Sequence, residues 1–346
     1  MWSIMLVILA DDLTGALDCA APFAGRGLHT EIALSIEAIG SALQARPAVL
    51  SVNLGSREVE AEDARRAAAS ALSSLPSDIV LFKKIDSRLK GNIAAELDVT
   101  PFHLALVAPA IPDFGRNVRA GHIEGFGLDK PLNVADALGV HAERAVIPDT
   151  LSQEEMSAAL AIGREAGADL FVGARGLAEA LAIHMTGSQL AQPALPEPGP
   201  ALFVIGSRDP ITLAQVEELR RSAVVDYIAA PNGRPERIAP PVHSVTLVQA
   251  TPDGKDDPPL LVSDRLAASI VPHMTAPPAT LLLSGGATAE AVLKAMNVSR
   301  FRLLGECLPG LGLAYIDGQC IIAKSGGFGR PGTLCEIARI AMGEKG

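Results

Sequence analysis

Asp11 and Asp12 stand side by side just past an unbroken apolar run, Ile4–Leu9, and Leu13, Thr14 and Gly15 follow at once. Such a run reads as a strand buried on both faces, and in a doubly wound sheet ligands bind beyond the carboxyl end of such a strand. Asp12 is placed to cap the helix that starts near Thr14. A cap needs one carboxylate, so the second is left for a ligand. The segment Lys83-Lys84-Ile85-Asp86-Ser87-Arg88-Leu89-Lys90-Gly91-Asn92 follows the strand predicted at Ile79–Lys83. Cations, a hydroxyl and a glycine at a strand-to-helix junction make an anion-binding nest. Ser56-Arg57 follows the strand predicted at Ala48–Val52, and the planar fork of Arg57 suits bidentate capture of a carboxylate. The long glycine-bearing loop Ala108–Gly127 holds Arg116 and His122. Length marks it as functional, while a lone histidine in such a loop reads as a surface or packing residue rather than a base.

In the second half, Ile205–Thr212 (IGSRDPIT) and Ser284–Ala289 (SGGATA) each follow an apolar strand and open a helix. Backbone N–H groups hold a phosphate in that geometry. Gly285 and Gly286 let the backbone approach a ligand, and Thr288 is expected to hydrogen-bond a phosphate oxygen. The third loop, Lys324–Gly332 (KSGGFGRPG), contains a literal G-x-G-x-x-G at Gly327, Gly329 and Gly332, but Pro331 interrupts it and no βαβ unit follows. There is no G-x-x-x-x-G-K-[ST], so a P-loop enzyme is excluded. Three phosphate-type loops in one region point to a nucleotide.

These residues need a scaffold, and the alternation of apolar strands with helical patterns supplies it. Helices are predicted from near Thr14 to Gly25, over Glu60–Leu75 and from Asn92, with a strand at Leu104–Ala108. A helix over Leu151–Gly167, a strand at Leu170–Val172 and a helix at Leu177–Met185 follow. After a proline-rich stretch the pattern resumes with Leu202–Ile205, helix Ile211–Arg221, Val224–Ala229, Leu281–Leu283, helix Ala287–Met296, Cys320–Ala323 and helix Leu334–Met342. Pro231–Pro259 reads as loops and short strands. The expected fold class is α/β in two domains, each a mainly parallel sheet flanked by helices, with a ligand cleft between them. Domain boundaries are set at 1–186 and 201–346, joined by a linker at 187–200.

The chain has 346 residues, which is long for one core and suits two. A net charge of −10 without a Lys/Arg run excludes a nucleic-acid-binding surface. Aromatics at 3% leave recognition to polar groups rather than stacking. Cys19, Cys307, Cys320 and Cys335 form no C-x-x-C pair and read as free thiols in a reducing cytosol. The N-terminal residues resemble a signal-peptide core, yet lack a basic start and run into Asp11-Asp12. No apolar stretch approaches the roughly 20 residues of a membrane span, so a cytoplasmic protein without membrane partners is expected.

Five motifs in order, ADDLTGALD, KKIDSRLKGN, the Ala108–Arg116 loop, SGGATA and KSGGFG, resemble those of the four-carbon acid sugar kinase family. The resemblance implies an N-terminal domain that binds a tetronate-type acid and a C-terminal domain that binds ATP with Mg²⁺. Catalytic roles are expected for Asp12, Asp86 and Lys84, with Asp12 favoured as base. The sugar acid is expected at Asp11, Asp12, Arg57, Lys84, Ile85, Asp86, Ser87 and Lys90. The nucleotide is expected at Ser207, Gly285, Gly286, Ala287, Thr288, Lys324, Gly326 and Gly327. No metal ligand is assigned, and a homodimer is compatible with the family. Where the family shows DST-x-RGN, this chain has Arg88 in place of Thr and Lys90 in place of Arg, and it is shorter around Pro231–Pro278. A ligand-binding relative without transfer activity and an NAD-dependent oxidoreductase are the alternatives.

Overall fold

A strand with no polar side chain must be covered on both faces, and β1 (Met5–Ala10) is buried from Leu6 to Ala10. In the computed structural model, which describes residues 4–188, 190–222, 225–237, 244–254, 257–274 and 278–344, β1 lies between two parallel neighbours, β3 and β4. The chain divides into two compact units, Met1–Gln192 and Pro193–Gly346, so the division falls within 187–200.

The first unit runs β1, α1 (Leu13–Ala24), β2 (Thr30–Ala33), α2 (Ile39–Gln44), β3 (Val49–Asn53), α3 (Ala61–Ser73), β4 (Ile79–Lys84), α4 (Ile93–Leu97) and β5 (Ala105–Ala108). A small antiparallel ribbon of β6 (Arg116–Arg119), β7 (His122–Gly125) and β8 (Leu132–Asn133) follows. Then come α5 (Val134–Leu138), β9 (Ala145–Val146), α6 (Gln153–Glu165), β10 (Leu170–Gly173) and α7 (Arg175–Thr186). The parallel strands are ordered β2-β3-β1-β4-β10-β5-β9. From β1 the chain crosses toward β2, whereas from β3 and β4 it crosses the other way. Right-handed crossovers in opposite directions must lie on opposite faces, which is why α1, α6 and α7 pack as one group and α3, α4 and α5 as another. The crevice between the carboxyl ends of β1 and β4 is therefore a topological switch point.

Every residue of α1 is buried, the pattern of a helix covered all round. Pro22 inside it cannot donate to the carbonyl of Asp18, and Arg175 Nη1 donates to that oxygen instead at 3.5 Å. The same guanidinium pairs with the Asp18 carboxylate at 3.4 Å, tying α1 to α7.

The second unit runs β11 (Ala201–Ile205), α8 (Pro210–Ser222), β12 (Asp226–Pro231), β13 (Val245–Thr251), α9 (Pro259–Ile270), β14 (Thr280–Ser284), α10 (Gly286–Ala295), β15 (Arg300–Leu308), β16 (Leu311–Ile316), β17 (Gln319–Lys324) and α11 (Thr333–Ala341). Their order is β12-β13-β11-β14-β17-β16-β15, with β15, β16 and β17 forming an antiparallel meander. α8 packs on α11, and α9 on α10. The chain leaves β11 toward β12 and leaves β14 the other way, so β11 and β14 flank this unit's switch point.

Two expectations are corrected here. Pro231–Pro259 is not merely loops and short strands, because β13 is an internal strand paired with β11 and β12. The β15–β16 pair was not anticipated, although Arg300–Leu308 alternates exposed and buried positions as a one-sided strand must. The expected strand Val224–Ala229 begins at a residue outside those described and is observed over Asp226–Pro231. Met1–Ser3 of the signal-like segment also lie outside the described residues.

Phe203, Ile205, Leu282 and Ile322 of the second sheet pack with Val216, Leu219, Leu334 and Ile337 of α8 and α11. Phe203 is fully buried at the middle of that layer. Phe203→Ala is expected to lower the unfolding free energy measured in urea by about 3–5 kcal/mol; a loss under about 1 kcal/mol would contradict this packing.

Candidate active site

Strand register brings the first unit's functional residues to one edge, because Ala10 is level with Lys84 and Asn53, and Gly173 with Lys84. The next residues of each strand, Asp11-Asp12, Ile85-Asp86 and Leu54 to Arg57, therefore meet at the β1/β4 crevice.

Arg57 is the hub. Its Nε and Nη2 donate to Asp11 Oδ2 and Oδ1, both at 2.8 Å, and its Nη1 donates to Asp12 Oδ2 at 2.6 Å. The same Nη1 lies 3.7 Å from Asp86 Oδ2. The buried ammonium of Lys84 sits 3.5 Å from Asp11 Oδ1 and 3.6 Å from Asp12 Oδ1. Burial on its own would raise the Asp11 carboxyl, but Lys84 and Arg57 outweigh it and hold the group well below the usual carboxylate range. Asp86 is lowered by the same balance, with burial opposing and Arg57 and Lys84 prevailing. Burial would lower Lys84, but Asp11 leads the effects that keep it above its ordinary value. Asp11, Asp86 and both cations are thus charged.

Two glycines make the cluster fit. A Cβ on Gly15 would overlap Lys84 Nζ, and one on Gly91 would come within 2.9 Å of Asp11 Oδ2. Gly91 has φ +91° and Leu89 φ +56°, so the Asp86–Gly91 turn visits the left-handed region twice. Asp86 steadies that turn by accepting from Arg88 N at 2.7 Å.

The geometry revises several assignments. Arg57, expected to capture a substrate carboxylate with its fork, has closed that fork on Asp11. Asp12 does cap α1, accepting from Gly15 N at 2.8 Å, and it also accepts from Thr14 Oγ1 at 2.7 Å. Ile85 is buried and its N–H donates to Gly173 O at 2.9 Å, so it holds the strand edge together. Ser87 Oγ accepts from Arg116 Nη1, whose Nε donates to Phe126 O at 2.9 Å. The long loop thus enters the site through Arg116, while His122 is exposed and bonds to Ala120 O. Lys90 is exposed at the rim.

In the second unit, Ile205, Ser284 and Lys324 are level in the sheet, so Ser207, Gly285-Gly286 and Gly326-Gly327 share one edge at the β11/β14 crevice. The loops are packed to glycine dimensions. A Cβ on Gly206 would strike Thr288 Oγ1, and one on Gly326 would strike Ser207 Oγ. Gly285, at φ +105°, precedes α10 and provides no side-chain cap. The first-turn N–H groups of α10 are therefore unclaimed by a cap and face this edge, the arrangement in which a helix receives phosphate oxygens. Ser284 Oγ is buried without a partner in the same place. These features fit a polyphosphate.

Thr288 does not. It is 2% exposed, with its hydroxyl 3.1 Å from Ser263 Oγ, so it braces α10 against α9 rather than addressing a ligand. Lys324 is fully buried and donates to Thr212 Oγ1 and Ser325 O, both at 2.9 Å, while Thr212 Oγ1 donates to Gly326 O at 2.8 Å. It shapes the glycine loop from below. Burial pushes the amine down to about 8, opposed by Asp209. The G-x-G-x-x-G run is a packed turn whose Phe328 and Arg330 carbonyls accept from Gln215, both at 3.0 Å. Sequence reasoning named Gly15 and Thr212 without giving either a role. Thr212 lay inside a quoted motif, whereas the need for Gly15 shows only once Lys84 is seen crossing from the neighbouring strand.

Residues 6–133 match a family model described as a sugar-binding N-terminal domain, and residues 243–334 match one described as a nucleotide-binding C-terminal domain. A D-threonate kinase of Salmonella typhimurium is 26% identical over 96% of this chain and 97% of its own length. That alignment spans 419 positions, so the relative carries stretches that this 346-residue chain lacks. A 3-oxo-tetronate kinase of Methylobacterium radiotolerans is 29% identical over 94% of this chain and 97% of its own. A crystal structure from Salmonella typhimurium, described as a putative tRNA synthase, shares the fold, with a TM-score of 0.72 at 18% identity over 99% of this chain and 100% of that one. With both models matched in order and such relatives aligned end to end, the chain belongs to the four-carbon acid sugar kinase family and is a phosphotransferase acting on a hydroxyl group.

Proposed function

We propose that the chain transfers the γ-phosphoryl group of ATP to a hydroxyl of a four-carbon sugar acid of the threonate, erythronate or 3-oxo-tetronate type. Asp86 is the observation that carries the reading. A carboxylate has about four lone-pair positions. Around Asp12 three are taken by hydrogen bonds, from Gly15 N, Thr14 Oγ1 and Arg57 Nη1, and the Lys84 ammonium stands 3.6 Å from Oδ1. Arg57 and Lys84 likewise surround Asp11. Asp86 meets Arg88 N on Oδ1 and only the 3.7 Å approach of Arg57 on Oδ2, leaving that oxygen room for a hydroxyl. The role favoured for Asp12 on sequence grounds therefore passes to Asp86.

Phosphoryl transfer asks for positioning and charge neutralisation more than for a strong base. Asp86 orients the acceptor hydroxyl and takes its proton as the new O–P bond forms and ADP departs with the electrons of the broken bond. Lys84 and Arg57 keep Asp86 ionised. Because the three carboxylates already outnumber these two cations, the acid group of the substrate is assigned to cations at the rim, Lys90 among them. The amides of Gly286, Ala287 and Gly327, with Ser207, are assigned to the triphosphate. Mg²⁺ supplies further charge neutralisation and is assigned to arrive with ATP, as this ion commonly does.

The direct test is ADP release from purified protein given ATP, Mg²⁺ and a panel of four-carbon aldonates and oxo-acids; silence across the panel contradicts the reading. Asp86→Asn is expected to lower kcat about 100-fold or more with ATP affinity retained, and near-normal turnover would exclude the role. Since Asp86 is lowered and stays ionised, its protonation should cause no loss of kcat between pH 8 and 5. Gly15→Ala, which displaces the Lys84 ammonium, is expected to cut kcat/KM at least 10-fold in a protein that still folds. Lys324 is protonated in the unfolded chain up to its ordinary 10.5 but in the fold only up to about 8. The unfolded state binds more protons across that window, so this group makes stability rise with pH. Urea unfolding at pH 7.5 and 10 should show a gain of about 1–3 kcal/mol in wild type that Lys324→Met lacks.

A further inference from the structure

Beneath the Asp11–Arg57 cluster lies a second set of charges that touches no ligand position. Lys83 and Glu96 are each 1% exposed and Ser56 is fully buried. Lys83 Nζ lies 2.5 Å from Glu96 Oε2 and donates to Leu9 O at 3.2 Å and to Lys84 O at 3.0 Å. Its three N–H groups are thereby all used, on the last turns of β1 and β4 and on one carboxylate. The other oxygen of that carboxylate, Glu96 Oε1, accepts from Ser56 Oγ.

Ser56 is the link to the site. Its N–H and that of Arg57 both donate to Asp11 O, at 2.9 and 3.2 Å, and its carbonyl accepts from Asn92 Nδ2 at 2.9 Å. Asn92 O in turn accepts from Glu96 N at 3.0 Å, closing a ring from the β3 loop through α4 back to the β1/β4 edge. As a source of stability such a pair is poor, since burying two charges costs about what their attraction returns, and apolar replacements of similar volume are often neutral. Its bonds run instead to the three chain segments that set the Arg57 guanidinium against Asp11, Asp12 and Asp86.

We propose that Lys83, Glu96 and Ser56 are positioning residues for phosphoryl transfer, a buried ionic clamp that fixes the Arg57 loop and thereby the Asp86 geometry. The catalytic part of this inference rests on the function proposed above, whereas the placement of Arg57 does not. Two readouts keep them apart. The first is solvent exchange of the Arg57 Nε–H in ¹⁵N spectra, identified by its loss in Arg57→Lys. The second is steady-state kinetics with ATP, Mg²⁺ and a four-carbon aldonate.

The double variant Lys83→Met/Glu96→Leu removes both charges together. It is expected to retain the wild-type melting temperature or exceed it, to lose protection of the Arg57 Nε–H, and to drop kcat about 10- to 100-fold with KM for ATP unchanged. Ser56→Ala cuts only the hydroxyl link and is expected to fold and to lose part of the same protection, so it decides the matter should the double variant not fold. Lys83→Met alone leaves Glu96 unpaired in the interior and should be the least stable of the set. Unchanged Arg57 protection in a folded double variant, or in Ser56→Ala if the double variant is unfolded, would overturn the proposal. Lost protection in a protein that, as wild type, turns over no acid would support the clamp and count against the kinase reading alone.

Discussion

Arg57 spends one guanidinium on three carboxylates, and the first unit is arranged around that fact. Asp11 takes its fork, Asp12 its remaining edge, and Asp86 sits just outside hydrogen-bond range. Removing the guanidinium would leave three acids facing a single lysine in a largely buried crevice, where like charges repel strongly. Gly15, Gly91 and the left-handed turn at Leu89 are the steric conditions for so many charges to meet. The switch point of the sheet supplies the rest, because only there do loops leaving toward opposite faces converge on one edge.

The second unit solves a different problem with few charges. Its switch point is lined by backbone, with glycine at positions 206 and 326 because neighbouring side chains occupy the space a Cβ would need, and at 285 because the backbone there has φ +105°. Lys324, which by type and position looks like a phosphate ligand, is instead turned inward to Thr212 and Ser325. The two units use one topological device in two ways: side-chain charges gathered at one edge in the first, and peptide dipoles suited to a polyphosphate in the second.

Much of this was legible in the sequence. Apolar runs ending in polar clusters located the central strands, and the motifs fell at the carboxyl edges where such strands place them. The direction of side chains was not legible. Nothing in ADDLTG and SRE says that Arg57 closes on Asp11, since that pairing follows from strand order, β1 lying next to β3. Thr288 was misjudged because a threonine one turn into a helix looks the same whether it meets a phosphate or Ser263. Glu96 escaped notice as one acid in a short apolar helix, and its importance appears only with Lys83 opposite. The length and internal place of β13 were not legible among its proline- and glycine-rich neighbours, and the β15–β16 pair was missed although the alternation in Arg300–Leu308 carried the signal.

The most direct measurement is a crystal structure with a non-hydrolysable ATP analogue, Mg²⁺ and a four-carbon aldonate bound together. The account predicts an acceptor hydroxyl within hydrogen-bond distance of Asp86 Oδ2, and the triphosphate on the amides of Gly286, Ala287 and Gly327. Phosphates bound away from those loops, or a substrate carboxylate seated in the fork of Arg57 with Asp11 displaced, would contradict it.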